Sequence, residues 1–282
     1  MSPDLAALEA LAASHDIVAI GMHADEVRRR ICGSTTTFVR VADVKADGRA
    51  EVTVPAAAGE LRIVGPIVSR AEAVARVRQV AAAAGGVVVS GFSLADLEAV
   101  AGRERIALRT LLEELRAGGL ELVAEAPFDR LADARRSIEE VNIAGLTLAR
   151  LTVHQSPSAD PVPLMEAVAE LQRAVAVIRA FAPLPRRLNP AAPTTGYDDL
   201  KRVALARLIV ENVPSIQVDW SLYGPKLAQV ALTMGADDLD AVRPDDDQSL
   251  GARRAPLEEV TRNIRAAGYE PAERTGRFDR RS

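Results

Sequence analysis

Hydrophobic and polar positions along the chain change their period near residue 69. From there on, stretches with the helical period of about 3.6 residues alternate with short apolar runs. Such alternation is typical of successive βα units, whose strands pair in parallel and whose helices cover the sheet. The pattern predicts helices over residues 69–84, 106–117, 131–143, 163–177, 198–211, 224–234 and 256–267.

The short apolar runs between those helices are the predicted strands. They read GVVVSG, LELVAE, LTLARLTV, IRAFAPL, IQVDW and DLDAV. Apolar runs of this length, bounded by turn residues, are typical of strands that are buried on both faces of a parallel sheet. The sequence therefore predicts one α/β domain in which strands and helices alternate.

The N-terminal part of the chain has a different pattern. Residues 4–14 and the segment HADEVRRRICG predict two helices, and the second ends at Gly33 because glycine readily adopts the left-handed conformation found at helix ends. The segments TTTFVRVADV and RAEVTVP favour strands, and Asp47 and Gly48 between them favour a hairpin turn. LRIVG predicts a further strand. These segments predict a small antiparallel ribbon beside the βα units.

Composition suits a single globular domain and excludes several functional classes. The 282 residues carry a formal net charge of −4, which offers no basic surface for nucleic acid. No apolar run reaches the roughly 18 residues that a membrane helix needs, so we expect a cytoplasmic protein without a membrane partner. We divide the chain into N-terminal helices and β-ribbon over residues 1–60, a (βα) barrel core over 61–268, and a frayed C-terminal tail over 269–282.

Thiol and imidazole groups are scarce in this sequence. Cys32 is the single cysteine, so an internal disulfide and a cysteine-based metal cage are excluded. The three histidines, His15, His23 and His154, lack the spacing of metal-binding motifs. We therefore predict no bound metal.

Several motifs resemble those of a known enzyme family. They are a loop with PLP, a helix that begins GYDDLK, the strand NVPSIQVDW, the helix YGPKLAQVAL and the turn GADDLD. With them the chain closely resembles the C-terminal half of aminofutalosine synthase, and less closely dehypoxanthine futalosine cyclase and the deazaflavin synthase subunit. The resemblance implies a TIM-like (βα) barrel of the radical S-adenosylmethionine type and a place in the futalosine route to menaquinone.

Three departures from this family concern its catalytic centre. The family holds an iron–sulfur cluster with cysteines spaced CxxxCxxC after the first strand, whereas VADVKADGRAEVTVPAAAGELRIVG contains none. A glycine-rich strand end is replaced by AAAAGGVVVSGFS, as though one strand and its helix were deleted. The segment LTVHQSPSAD lacks the glutamate of the family's Tyr-Gly-His-x-Glu. We therefore expect a degenerate or partial barrel with an N-terminal helical and β-hairpin extension, and loss of both the cluster and S-adenosylmethionine binding.

Seven residues are candidates for a site at the barrel face where the strands end. His154 and Asp219 each follow or end a predicted strand, where a side chain can act as acid or base. Candidate substrate contacts, which include guanidinium groups for a carboxylate and an aromatic ring for stacking, are Arg186, Arg187, Trp220, Tyr223 and Lys226. Structural alternatives stay open: backbone bonding for His154, a helix cap for Asp219, a core position for Trp220, and solvation for the arginines.

Three functional hypotheses follow, and whether the protein is an enzyme is left open. The first is a binding or partner subunit of menaquinone biosynthesis without radical chemistry, paired with an intact radical enzyme or another pathway protein. The alternative is a cluster-free lyase or hydrolase acting on a futalosine-like or chorismate-derived compound. In the third, the deleted unit leaves a side of the barrel open, and a homo-oligomer covers it.

Overall fold

The structure is a computed structural model. It describes residues 10, 13–48, 51–155, 160–187, 194–245, 247–249 and 251–281. The predicted helix over residues 4–14 lies almost entirely outside these ranges. Within them, helices surround a sheet of ten strands.

The strands of the sheet are numbered in chain order. They are β1 Thr35–Lys45, β2 Glu60–Val64, β3 Val88–Ser93, β4 Leu122–Pro127, β5 Thr147–Leu148, β6 Leu151–Val153, β7 Ala180–Pro185, β8 Ser215–Asp219, β9 Asp238–Val242 and β10 Glu270–Arg274. All pairings between these strands are parallel. Because β5 and β6 occupy one position beside β4, and β9 pairs with β1, eight positions close a parallel barrel.

The helices agree closely with the predicted periodicity. They are α1 Ile17–Cys32, α2 Arg70–Ala83, α3 Leu94–Glu104, α4 Leu108–Ala117, α5 Ala134–Ile143, α6 Val162–Val175, α7 Gly196–Ile209, α8 Trp220–Leu232 and α9 Pro256–Ala266. The sequence pattern missed α3 and the first turn of α8. Both follow a strand without a loop, so apolar residues of strand and helix merge into one run.

The predicted antiparallel ribbon is wrong. Asp47 and Gly48 do form a turn, but the chain beyond it does not pair back onto β1. Instead β1 is a barrel strand, with β2, β9 and β10 all parallel to it. The hairpin signal was local, whereas the edges of β1 are taken by strands that are distant in sequence.

The barrel is closed, so the deletion inferred from the sequence leaves no open side in the described structure. What the chain lacks is a helix between β1 and β2: the described part of residues 46–59 contains none. Parallel strands normally need such a crossover to carry a helix. Here Val52 and Val54 pack against the core from an extended segment, and the open-edge reason for a homo-oligomer does not apply.

The C-terminal residues are not a frayed tail. β10 pairs with the N-terminal half of β1. Arg274 donates from Nε and Nη2 to the two carboxylate oxygens of Asp238, each at 2.6 Å, and its guanidinium lies 3.9 Å from the ring centre of Phe278. Arg281 donates to the carbonyl of Ala57 at 2.8 Å. The charged residues for which the sequence predicted a solvated terminus therefore pack at the N-terminal end of the barrel.

The main hydrophobic core lies between the barrel and its helices. Buried apolar side chains such as Val123 on β4, Leu151 on β6 and Phe181 on β7 pack there. The inside of the barrel is mostly polar, because Glu60 and Arg62 of β2 and other charged side chains on the barrel strands face inward. This separation is what places ionisable groups along the barrel axis.

Candidate functional site

Alternating polar side chains on several barrel strands build the interior. Side chains two residues apart on a strand point to the same face, so Glu60 and Arg62 of β2 both face inward, as do Gln217 and Asp219 of β8. Asp43 of β1 is the register partner of Arg62, and directly opposite residues share a face. The strands therefore carry charged groups from mid-barrel to the C-terminal ends.

Four charged side chains fill the middle of the barrel, and we call them the ionic layer: Glu60, Arg62, Arg150 and Asp240. Arg62 donates to Glu60 at 2.8 Å and to both oxygens of Asp240 at 2.8 and 3.0 Å. Arg150 forms an ion pair with Asp240 and donates to a backbone carbonyl of β4 at 2.9 Å. All four are buried, and two positive charges balance two negative ones.

Mutual pairing decides the ionisation of this layer. Burial by itself would raise the pKa of Glu60, but the charges of Arg62 and Arg150 outweigh it and lower that pKa to about 2. Burial and the neighbouring charge of Arg62 lower the pKa of Arg150 to about 9. At neutral pH both groups are therefore charged and held in place, which suits a structural role better than proton transfer.

The C-terminal ends of the strands carry a second set of charges, which we call the mouth group: Asp43, Glu125, Arg186 and Asp219. Arg186, directly after β7, donates from Nε to Glu125 at 3.0 Å and from Nη1 to Asp219 at 2.5 Å. Asp219 also accepts the backbone N–H of Leu222 at 2.8 Å, so it is at once a cap of α8 and a partner of Arg186. Burial would raise the pKa of Asp219, but Arg186 and this N–H lower it, so it stays a carboxylate.

Asp43 differs from the other members of the mouth group. Its side chain is exposed, and its carboxylate has no hydrogen-bond or ion-pair partner among the described residues. Burial of the group beside the interior raises its pKa; among its charged neighbours, Arg62 acts most strongly and lowers the pKa, Asp219 and Glu60 raise it, and Arg150 lowers it. Asp43 is thus an exposed carboxylate near charges of both signs.

His154 follows β6 and is held at the same face through its backbone. Asp129 accepts the N–H of His154 at 2.7 Å and that of Gln155 at 2.8 Å, and Arg187 donates its N–H to the carbonyl of His154 at 2.8 Å. Burial and the charge of Arg130 lower the pKa of the imidazole. His154 is therefore neutral near pH 7, the form in which a ring nitrogen accepts a proton or a hydrogen bond.

The remaining predicted contact residues differ in how far they are buried. Trp220, the first residue of α8, is buried in the core, while Arg187 and Lys226 are exposed. Tyr223 donates to the carbonyl of Pro185 at 2.6 Å, and burial raises its pKa. Of the predicted set, the structure brings Arg186 and Asp219 into direct contact.

Sequence reasoning missed Asp43, Glu125 and the whole ionic layer. A signal was present, because polar residues recur with period two in ELRIV and in SIQVD. The same period marks an ordinary half-exposed strand, so only a closed barrel turns the polar face into an interior.

The residues present do not fit an iron–sulfur cluster. The connection after β1 has no cysteine, and Cys32 ends α1 just before β1 begins, a full strand length from that connection. Burial, and then the charge of Asp237, raises the pKa of the Cys32 thiol to about 12, whereas metal ligation needs a thiolate. Among the described residues, no group of three or more His, Cys, Asp or Glu side chains is arranged to hold a metal ion.

Comparison with known proteins supports the sequence resemblance. A family model described as the CofH/MqnC C-terminal region matches residues 182–282. Aminodeoxyfutalosine synthase of Streptomyces coelicolor is 36% identical over 91 residues, covering 30% of this chain and 24% of that protein. Cyclic dehypoxanthine futalosine synthase of the same organism is 26% identical over 217 residues, covering 68% and 54%.

The fold has a solved counterpart. A crystal structure of methylornithine synthase (PylB) superposes with a TM-score of 0.68 at 13% identity and covers 96% of this chain and 95% of that one. The predicted TIM-like barrel is thereby confirmed. The chain spans about half the length, or less, of the curated relatives it matches.

The residues that match the CofH/MqnC C-terminal region contain most of the predicted site. They run from β7 to the C-terminus and include Arg186 and Asp219, whereas His154 and the remaining mouth carboxylates, Asp43 and Glu125, precede them. None of the described helices is both long enough and apolar enough to cross a membrane.

Proposed function

We propose that the protein is a cluster-free relative of the futalosine-route enzymes that binds a small molecule of menaquinone biosynthesis at the barrel mouth. It acts as a binding or partner subunit rather than as a radical enzyme. One observation carries this proposal: a CofH/MqnC C-terminal region lies on a closed barrel whose β1–β2 connection has no cluster ligand. The relatives named above make aminodeoxyfutalosine and cyclic dehypoxanthine futalosine, so ligands of that route are the first to test.

The mouth is the part of the barrel that supports binding. The ionic layer fills the interior below it with paired side chains, so we place the ligand above Arg62 and Arg150. There, Asp219 and Arg186 keep a fixed geometry because each bonds two groups. Preformed polar groups at strand ends of a barrel are typical of ligand sites.

Two measurements on the full chain test the proposal. Anaerobic incubation with iron and sulfide should leave less than one iron per chain, while an intact relative treated in parallel gains its cluster. Thermal unfolding should shift upward with aminodeoxyfutalosine, cyclic dehypoxanthine futalosine or chorismate. The shift should vanish in Arg186→Met and persist in Arg173→Met, which removes an exposed guanidinium from α6. A stoichiometric redox-active cluster would overturn the proposal.

A cluster-free lyase or hydrolase is a second candidate, favoured by the neutral His154 imidazole. Catalysis by this group predicts product from one of the same compounds without iron. The rate should fall strongly in His154→Gln, which keeps a polar side chain, and hardly in His23→Gln on α1. Binding with no turnover by the unaltered protein would exclude this candidate.

The partner role has its own readout. Size-exclusion chromatography with an intact radical relative should show a joint peak if the chain is a partner subunit. Separate elution at micromolar concentrations, together with ligand-induced stabilisation of the chain alone, supports the binding role without a protein partner.

A further inference from the structure

A cavity lies at the end of the barrel opposite the mouth, and we call it the basal cavity. It has a volume of about 510 Å³ and lies between the first residues of β4 and β5 and the C-terminal segment 276–279. Small-molecule sites in proteins typically have volumes of roughly 300–1,000 Å³. The basal cavity is therefore large enough for a small ligand, and it shares no residue with the mouth group.

Apolar side chains form part of the lining of the basal cavity. Leu122 of β4 and Ala149, just after β5, line it and pack with Val88 of β3 in a buried cluster separate from the main core. Phe278 of the C-terminal segment also lines it, and the guanidinium of Arg274 lies 3.9 Å from the centre of this ring. These contacts hold the apolar lining in place, so it can receive the apolar part of a ligand.

Three guanidinium groups also line the basal cavity, and one of them is neutralised. Arg277 forms an ion pair with Glu121. Arg179 donates from Nη1 to the backbone carbonyl of Arg277 at 2.7 Å, which orients this guanidinium without compensating its charge. Among the described residues, neither Arg179 nor Arg116 has a carboxylate partner. Asp279 is the second carboxylate of the lining, so the cavity carries one more positive than negative charge.

The position of Arg116 is set by a glycine rather than by a counter-ion. A Cβ atom added to Gly145 would lie 2.7 Å from Cζ of Arg116 and 2.9 Å from its Nε and Nη1, closer than such atoms approach. Gly145 also has a φ of +76°, which glycine adopts without strain. The guanidinium therefore packs directly against the backbone beside the cavity, and its charge is available to an anion.

The charge of the lining selects the class of ligand. The whole chain has a formal net charge of −4, so a positive cavity is a local departure from the surrounding surface. Charged groups that line one cleft raise the local concentration of ligands of opposite sign. Guanidinium groups are well matched to carboxylates, which accept two parallel N–H bonds from them.

We propose that the basal cavity binds a small carboxylate with an apolar body, with Arg116 and Arg179 as the counter-charges and Leu122 and Phe278 against the body. This second site goes beyond the proposed function, which concerns the mouth. Its ligand reaches the protein from the end of the barrel that the C-terminal segment covers.

Three probes of similar size and different charge test the inference on the full chain: benzoate, benzyl alcohol and benzylammonium, titrated at neutral pH and low salt. Benzoate should bind at least about fivefold more tightly than the other two, the upper range for an exposed charge pair. In NMR spectra it should shift the backbone amide signals of Gly145 and Phe278 and leave that of Leu222, at the mouth, unchanged.

Substitutions of the two available arginines locate the counter-charges. Arg116→Met and Arg179→Met should each lower the affinity for benzoate about threefold, since each removes one exposed charge pair. Arg173→Met, which removes an exposed guanidinium from α6, should leave the affinity unchanged. Urea denaturation should give the same stability for all three variants as for the unaltered protein, which separates lost binding from lost folding.

Equal affinity for the three probes would overturn the inference. So would benzoate binding that both Arg116→Met and Arg179→Met leave unchanged, or amide shifts confined to the mouth. Inorganic phosphate should bind more weakly than benzoate because it has no apolar body. Phosphate that binds as tightly as benzoate would indicate a simple anion site and would overturn the assignment of an apolar carboxylate.

Discussion

The ionic layer and the mouth group lie one above the other in the same barrel, yet they differ in how their charges are satisfied. In the ionic layer, each of Glu60, Arg62, Arg150 and Asp240 bonds at least one other member. In the mouth group, Arg186 and Asp219 are paired, but Asp43 is not. Burial increases the cost of an unpaired charge, so the fully buried layer must be balanced, whereas the mouth can keep an excess because water reaches it.

The comparison separates a structural from a functional use of similar residues. A buried pair costs little while both partners are present and a great deal when one is removed. A partly exposed charge costs little either way and remains available to a ligand. Graded substitutions from mid-barrel to mouth should therefore show falling effects on stability and rising effects on binding.

The largest effect is expected from Arg150→Met. Removal of this guanidinium leaves Asp240 and Glu60 with less compensation inside the barrel, and the free energy of unfolding should fall by about 3–5 kcal/mol. Urea denaturation at pH 7 measures the change. Arg187→Met is the control, since this exposed arginine should change stability by less than about 0.5 kcal/mol. A loss below that of Arg186→Met would contradict the contrast between the two regions.

The second-largest effect on stability is expected from acid, which should weaken the ionic layer. The pKa of Glu60 is lowered to about 2 in the folded state and is ordinary when unfolded, so its contribution is fully present above about pH 4.5 and is lost as pH falls towards 2. The linked loss is about 3 kcal/mol. Glu60→Gln should lower stability at pH 7 and show a flatter acid limb in denaturation between pH 4.5 and 2. If Glu60→Gln left the acid limb unchanged, other carboxylates would account for the loss of stability in acid.

Arg186→Met should have a smaller effect on stability. The side chains of Arg186 and Glu125 are 21% and 25% exposed, so solvent screens the charges that remain, and we expect a loss of about 1–2 kcal/mol. Because screening grows with ionic strength, the loss should shrink in 1 M salt when measured by urea denaturation. A loss that does not depend on salt would point to packing rather than charge.

The smallest effect on stability is expected for Asp43→Asn. Its carboxylate has no hydrogen-bond or ion-pair partner among the described residues, and the attraction of Arg62 opposes the repulsion of Asp219 and Glu60, so the free energy of unfolding should stay within about 0.5 kcal/mol. Thermal and urea unfolding measure this. A clear destabilisation would mean that Asp43 has a structural partner and would remove the contrast with the ionic layer.

Much of the βα part of the fold was predictable because its periodicities are strong. The helix at residues 256–266 and the strand DLDAV were placed almost to the residue. The ribbon around Asp47 and the frayed tail were wrong for a common physical reason. Strand pairing is decided by partners far away in sequence, and β1 finds β9 and β10, which lie more than 190 residues further along the chain.

The site was predictable only in part. Arg186 and Asp219 were found because they end strands of a recognisable barrel, and the structure joins them at 2.5 Å. Asp43 and Glu125 were not found, because each stands on a strand whose other residues read as ordinary core. Their role depends on which faces the closed barrel turns towards its axis.

By itself, the sequence determined the alternation of strands and helices and the likeness to futalosine-route enzymes. It also showed that the chain has too few cysteines for a cluster. All three are properties of residue type and spacing. Tertiary structure alone decided that the barrel closes with no helix in the described part of the β1–β2 connection, that β10 pairs with the N-terminal half of β1, and that charged residues from separate strands meet along one axis. The physical reason is that pairing and charge compensation act between residues close in space, whatever their distance along the chain.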